Sequence, residues 1–293
     1  MRRRSSNERK QSYYKRQRAG NVVIQVVLLI LGLIWILPLL WIILTSFRAE
    51  PGSYTSYFWP KGFTFDNYIR LIFEDQQFKF SQWFINTLIV AVISCVGSTF
   101  IVLAVSYALS RLRFKMRKPI MNVALILGMF PGFMSMVAIY YILKGMGLTE
   151  NPLVCLTLVY ICGSGLTYYI AKGFFDTIPK SLDESAYLDG ATRAQVFFHI
   201  TIPLSKPIIV YTVLTTFMAP WVDYIFPSMI CGANYDSYTV ALGMFKMLER
   251  EFIGTYYTQF AAAAVLVSIP IGALFIAMQK YYVGGVTGGA VKG

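Results

Sequence analysis

Glu184, Ser185 and Ala186, then Asp189, Gly190 and Ala191, then Ile200 and Pro203 make up the most tightly patterned polar stretch of this 293-residue chain. They lie between Lys172 and Lys206, a polar segment set between long apolar runs. The chemistry their spacing offers is mechanical, not covalent. Pro179-Lys180 precedes Ser181-Leu182-Asp183-Glu184, a Ser-x-x-Glu pattern in which Ser181 caps a helix and Glu184 returns a bond. Gly190 suits the left-handed residue that ends such a helix. Thr192-x-x-Gln195 repeats the capping pattern, and Pro203 and Pro207 bound the far end of the second helix. Two short helices joined by a glycine turn are therefore expected. Small residues at 185, 186 and 191 would let the first helix seat closely in a groove on another protein.

Catalysis has little material here. His199 is the single histidine, too little for a triad or a histidine metal site. The four cysteines, Cys95, Cys155, Cys162 and Cys231, form no C-x-x-C pair, and three lie in apolar stretches where cysteine acts as a small hydrophobe. The end of the chain, Gly288 to Gly293, lacks the spacing of a phosphate loop and a following helix. We expect no catalytic residue, no metal and no cofactor. One charge, Asp223, falls inside an apolar stretch, between Trp221 and Tyr224. Two readings stay open. Pro220 and Pro227 flank Asp223, so its helix could end early and leave it in the headgroup layer. Alternatively, Trp221, Asp223 and Tyr224 line a path, an aromatic face stacking on a ligand ring while the carboxylate accepts from ligand hydroxyls.

The elements that must hold these residues follow from charge segregation. The chain is 56% hydrophobic and 14% charged, against about 25% charged in soluble domains. Uncharged runs cover 19–47, 80–110, 119–143, 151–171 and 252–279, and 207–235 is broken only by Asp223. About 20 apolar residues cross a bilayer as a helix. Backbone polar groups in lipid must be satisfied within the segment, which makes these runs helices. The expectation is an all-α membrane protein with six spans: about Val22–Phe47, Phe84–Ser110, Pro119–Leu143 with a bend at Pro131-Gly132, Pro152–Ala171, Pro207–Ile230 and Phe260–Tyr282. With the N-terminus inside, 19 of the 26 basic residues fall on the inner side, which places both termini and the 172–206 loop in the cytoplasm. The net charge of +12 thus reads as a topology signal and not as nucleic-acid binding. Residues 1–20 form a basic arm without structure, 21–283 the membrane domain and 284–293 a cytoplasmic tail.

The spacing from Glu184 through Gly190 to Pro203 resembles the E-A-A-x-x-x-G-x(9)-I-x-L-P signature of permease subunits in binding-protein-dependent ABC importers, with Ser185 for the second Ala and Ile202 for the Leu. Tyr107-Ala108-Leu109-Ser110-Arg111, Tyr238-Thr239-Val240-Ala241-Leu242-Gly243 and the tail from Gly285 are similar to segments of sugar importer permeases. The resemblance covers nearly all of the chain from Val22. It is nearest to the smaller, six-span permease of maltose/maltodextrin-type importers. It implies a type I importer permease fold in a bacterial-type plasma membrane and a carbohydrate substrate. The implied partners are a second permease subunit, two ATPase subunits that bind the ATP, and an extracytoplasmic solute-binding protein. The 172–206 loop becomes the ATPase-coupling element, and the tail with Lys292 lies against the ATPase pair. The alternatives are an ABC importer permease for a non-sugar solute and an ion-coupled secondary carrier. The carrier would need intramembrane ionisable groups, for which Asp223 alone is thin material.

Overall fold

The computed structural model describes residues 2–290 except 53, 54, 56, 75, 76, 130, 131 and 164, and gives no side chains at 2–20, 133, 165, 166 and 282–290. The described chain is helical: α1 Arg2–Ser46, α2 Asp66–Ile69, α3 Phe80–Arg111, α4 Arg117–Met129, α5 Gly132–Gly145, α6 Pro152–Cys162, α7 Gly165–Thr177, α8 Lys180–Leu188, α9 Arg193–Val196, α10 Ile202–Leu204, α11 Lys206–Val222, α12 Ile225–Cys231, α13 Val240–Met247 and α14 Ile253–Ala290. The arm expected to lack structure is thus drawn as the first turns of α1.

Four stretches are long and apolar enough to span by themselves: Asn21–Ser46, Phe80–Arg111, Pro152–Thr177 and Ile253–Tyr281. Two more spans appear if each bent pair counts once, Arg117–Met129 with Met134–Gly145 at 109° and Arg193–Leu204 with Lys206–Val222 at 82°. The six apolar runs therefore persist; the second bend, at Ser205, falls just ahead of the 207–235 run, which instead stops being helical at Asp223. The first break falls where a bend was expected at Pro131-Gly132, and Pro131 itself lies outside the described residues. In α6, Pro152 sits in the first turn, where its missing N–H has no helical partner to lose.

The centre of the bundle is α3, packed by α6, α7 and α11. Over its middle turns the inward face is small: Ala91, Ser94, Cys95 and Ser98 are buried. Lipid supplies no hydrophobic drive between helices, so close backbone approach over small residues is what holds such a seam. Two apolar clusters result. One surrounds Trp83, Val90, Phe217, Trp221, Tyr238 and Met247. The other, at the opposite end of α3, gathers Val102, Tyr107, Ala171, Phe175, Ile178 and Ile208, with Phe197 and Ile202 against it. The 172–206 segment is built onto this second cluster.

α1 stands apart. Residues 22–39 are exposed throughout, and the helix is fixed at its far end. There Asn67 Nδ2 donates to the carbonyls of Ser46 and Arg48 at 3.0 and 2.8 Å, and Ser46 Oγ meets Tyr68 Oη at 2.7 Å.

Candidate functional site

The turn at Gly190 is fully formed. Gly190 has φ +83°, a backbone that glycine alone adopts at little cost. Its N–H donates to Tyr187 O at 3.1 Å, and Ala191 N–H donates to Ala186 O at 2.9 Å. These paired bonds close α8 by satisfying carbonyls its last turn leaves open. Two residues later α9 opens: Thr192 Oγ1 accepts from Gln195 N–H at 3.3 Å while Thr192 N–H donates to Gln195 Oε1 at 2.8 Å. That capping box is the expected one.

The first capping pattern does not form. α8 begins at Lys180 after Pro179, with no side chain capping it, so Ser181 lies inside the first turn and Glu184 is exposed. The residue between them explains the shift. Asp183 turns inward, and its Oδ2 lies 2.9 Å from Arg111 Nε at the end of α3, with both side chains at least nine-tenths buried. Arg111 Nη2 also donates to Ile178 O at 2.9 Å, just ahead of α8. Beside it Ser110 Oγ donates to Asp176 Oδ1 at 2.6 Å, and Lys172 pairs with the other oxygen of Asp176. Three polar anchors therefore bind the end of a spanning helix to the segment that enters α8.

Beyond α9 the chain passes through a π-helical turn, Phe197–Thr201, and α10 before bending by 82° into α11. Thr201 and Ser205 are buried at this elbow, and Ser205 Oγ donates to Thr201 O at 2.6 Å. Asp189, Gly190, Ala191 and Ile200 share the wall of an open hollow of about 350 Å³. Glu184, Ser185 and Pro203 are exposed outside it. Leu188, at the tip of α8, is 90% exposed. An uncovered leucine beside exposed Leu182 and Tyr187 is a surface waiting for a cover.

At the far end of α11, Asp223 closes the helix in an extended conformation. Its Oδ1 accepts from the N–H groups of Ile225 and Phe226 at 3.0 and 3.3 Å, which caps α12. Its Oδ2 accepts from Tyr160 Oη at 3.0 Å. The helix does end early, and the carboxylate also lines a cavity of about 300 Å³ with Tyr160, Thr167, Thr215, Thr216 and Met136. Trp221 and Tyr224 do not join it there. Trp221 is 3% exposed, wedged against Phe84 and Phe217. Tyr224 stacks on Phe245 with centroids 4.4 Å apart. Two residues on either side of a helix end point different ways once the α-helical register stops. Lys292 lies outside the described residues.

Tyr160, Arg111, Asp183 and Asp176 were not singled out as site residues from sequence. A signal existed for two of them: Tyr160 is a hydroxyl within an apolar run, and Arg111 closes the Tyr107-to-Arg111 segment.

On the far side of the membrane domain, Trp83 Nε1 donates to Tyr235 O at 2.8 Å, and Asn86 Nδ2 donates to the carbonyls of Asp236 and Tyr238. The loop ahead of α13 is therefore clamped onto the start of α3. Gly243 makes this approach possible, since a Cβ there would lie 1.9 Å from Trp83 Cε3.

Known proteins share this arrangement. Residues 100–287 match the family described as the binding-protein-dependent transport system inner membrane component. The chain is 35% identical over 269 residues to the galactooligosaccharides transport system permease protein GanQ of Bacillus subtilis, covering 92% of this chain and 94% of that protein. It is 34% identical over 264 residues to the maltodextrin transport system permease protein MalD of Streptococcus pneumoniae, covering 90% and 92%. To the maltose/maltodextrin transport system permease protein MalG of Escherichia coli it is 31% identical over 296 residues, covering 95% and 98%. A solved bacterial ABC transporter involved in import of the polysaccharide alginate has a chain that superposes with TM-score 0.76 at 23% identity, over 90% of this chain and 97% of that one. That likeness carries the type I permease fold. The chain is a multi-pass member of the binding-protein-dependent inner membrane components, the permease subunits of ABC importers.

Proposed function

We propose that this chain is the permease half of an ATP-driven importer for an oligosaccharide, delivered by an extracytoplasmic solute-binding protein. It pairs with a second permease subunit, and two ATPase subunits bind and hydrolyse the ATP. The observation that carries this reading is the capped helix pair at Gly190, tied by Arg111 and Asp183 to the end of a spanning helix. A push on exposed α8 is transmitted to α3 through a buried ion pair and not absorbed by a slack loop, because packed elements switch between discrete arrangements. The names of the relatives, which transport galactooligosaccharides and maltodextrin, support an oligosaccharide as substrate. The distribution of basic residues supports placing both termini and the coupling segment in the cytoplasm. Asp223 and Tyr160 form the polar end of the translocation path, offering a carboxylate and a phenol to sugar hydroxyls. The tail with Lys292 rests on the ATPase pair.

The assembled complex with its binding protein, reconstituted in vesicles, tests this directly. ATP hydrolysis should rise when the binding protein is loaded with a galactooligosaccharide or a maltodextrin. Stimulation by an amino acid, a polyamine or phosphate, with none by these sugars, would overturn the substrate class. Purification without any ATPase would overturn the importer reading itself.

A further inference from the structure

The turn between α3 and α4, the end of α8 and the start of α9 enclose a pocket beside the Arg111–Asp183 join. It has a volume of about 490 Å³ and is lined by Arg111, Leu112, Arg113, Phe114, Tyr187 and Arg193. Three arginines line it, and no acidic side chain does. Asp183 balances one of them, so two positive charges remain in excess. The end of α3 opposes an anion with only about half a negative charge, too little to cancel that excess. The Arg111 side chain is 4% exposed and held by Asp183 and the Ile178 carbonyl, so Arg113 and Arg193 are the arginines left to meet a ligand.

We propose that this pocket binds a phosphate-bearing anion, supplied by the headgroup of an anionic phospholipid. Guanidinium groups match phosphate oxygens in pairs, which two arginines exploit better than isolated lysines would. Position favours a lipid source over a soluble one. The pocket opens at the end of a spanning helix, and Phe114, Met116 and Ile120 beside it are exposed apolar side chains suited to the acyl boundary. Basic pockets between spanning helices on the cytoplasmic side are the known chemistry of such headgroup sites. Because Arg111 and Arg193 also belong to the coupling region, a bound headgroup would brace α9 against the end of α3.

The test uses the whole complex in vesicles of phosphatidylcholine with graded phosphatidylglycerol, counting retained lipids by native mass spectrometry. Arg113→Gln with Arg193→Gln should weaken phosphatidylglycerol retention by about fivefold per guanidinium lost. Arg113→Lys with Arg193→Lys should recover part of it. Lys115→Gln with Lys118→Gln removes equal charge from the same turn outside the pocket and should change retention little. Equal loss in that control would mean diffuse attraction and overturn the pocket. If lipid retention is unaffected but inorganic phosphate raises the melting temperature of the wild type and not of the glutamine variant, the site takes phosphate from solution. If neither ligand distinguishes them, or the glutamine variant loses the ATPase subunits instead, the pocket is no phosphate site.

Discussion

Arg111 and Asp183 meet at 2.9 Å with both side chains buried, one ending a spanning helix and the other in the first turn of α8. A buried pair of this kind is weak evidence of stability, since desolvation offsets much of the attraction. Its value lies in what happens when one partner is missing. A lone charge is then left where water does not reach, and the join between α3 and α8 fails.

Arg111→Ala and Asp183→Ala should each cost about 3–5 kcal/mol at this join and abolish sugar-stimulated ATP hydrolysis while the subunit still inserts. The double replacement Arg111→Met with Asp183→Leu should be milder than either single change. Thermal stability of Arg111→Met, Asp183→Leu and the pair together closes a double-mutant cycle; strict additivity of the two single effects would show that the residues do not act together.

Gly190→Val forces a β-branched residue to φ +83°. The strain is of order 1–3 kcal/mol, and the bonds from Gly190 and Ala191 that close α8 are the ones at risk. Transport should be lost with membrane insertion intact. Co-purification of the ATPase subunits and the uptake rate together give the readout; normal uptake would remove this turn from the coupling element.

Asp223 has two duties, which substitutions can separate. Asp223→Asn keeps a carbonyl oxygen for Ile225 and Phe226 but loses the charge, so α12 should stay capped while sugar flux falls severalfold. Asp223→Ala also loses the cap, worth about 0.5–2 kcal/mol. Tyr160→Phe removes the partner hydroxyl at 3.0 Å and should share the flux defect without the stability loss. Unchanged uptake in the asparagine variant over a range of sugar concentrations would leave Asp223 with a capping role alone.

Gly243→Ala places a methyl group within 1.9 Å of Trp83, so the loop must lift from α3 or the indole must move. Thermal stability of the detergent-solubilised complex should drop. Trp83→Ala, which empties a fully buried site, should cost about 3–5 kcal/mol. Combining the two should cost less than the sum, because the smaller side chain leaves room for the added methyl.

Orientation is open to a direct check. With the natural cysteines replaced, Lys115→Cys on the exposed α3–α4 turn should resist an impermeant thiol reagent in intact cells and react after permeabilisation. Ready labelling in intact cells would invert the topology.

Local features were the ones legible in the residues. Gly190 and the Thr192–Gln195 box involve neighbours within one helical turn, so their types and spacing suffice. The apolar runs likewise announce the spans, because lipid imposes length and composition on each one separately. Ser181 shows the limit: its pattern was as good as that of Thr192, but a tertiary partner for Asp183 decided where α8 begins. Arg111 could not be matched to Asp183 from the chain, since nothing local marks two distant charges as partners. Trp221, Asp223 and Tyr224 looked like one site only while their helix was assumed to continue; the break at Asp223 sends them to a core, a cavity and a stacked pair.

The bare surface of α1 has a consequence for how this subunit exists in a cell. From Val22 to Leu39 every side chain is exposed, although the helix packs along α14 and is tied down at Ser46. Lipid solvates such a face as readily as protein would cover it. A solitary copy of this subunit therefore differs from an incorporated one most of all along this helix. Surveillance that removes orphan subunits would have its clearest mark there, in a long apolar rod held at one end and bare along the rest.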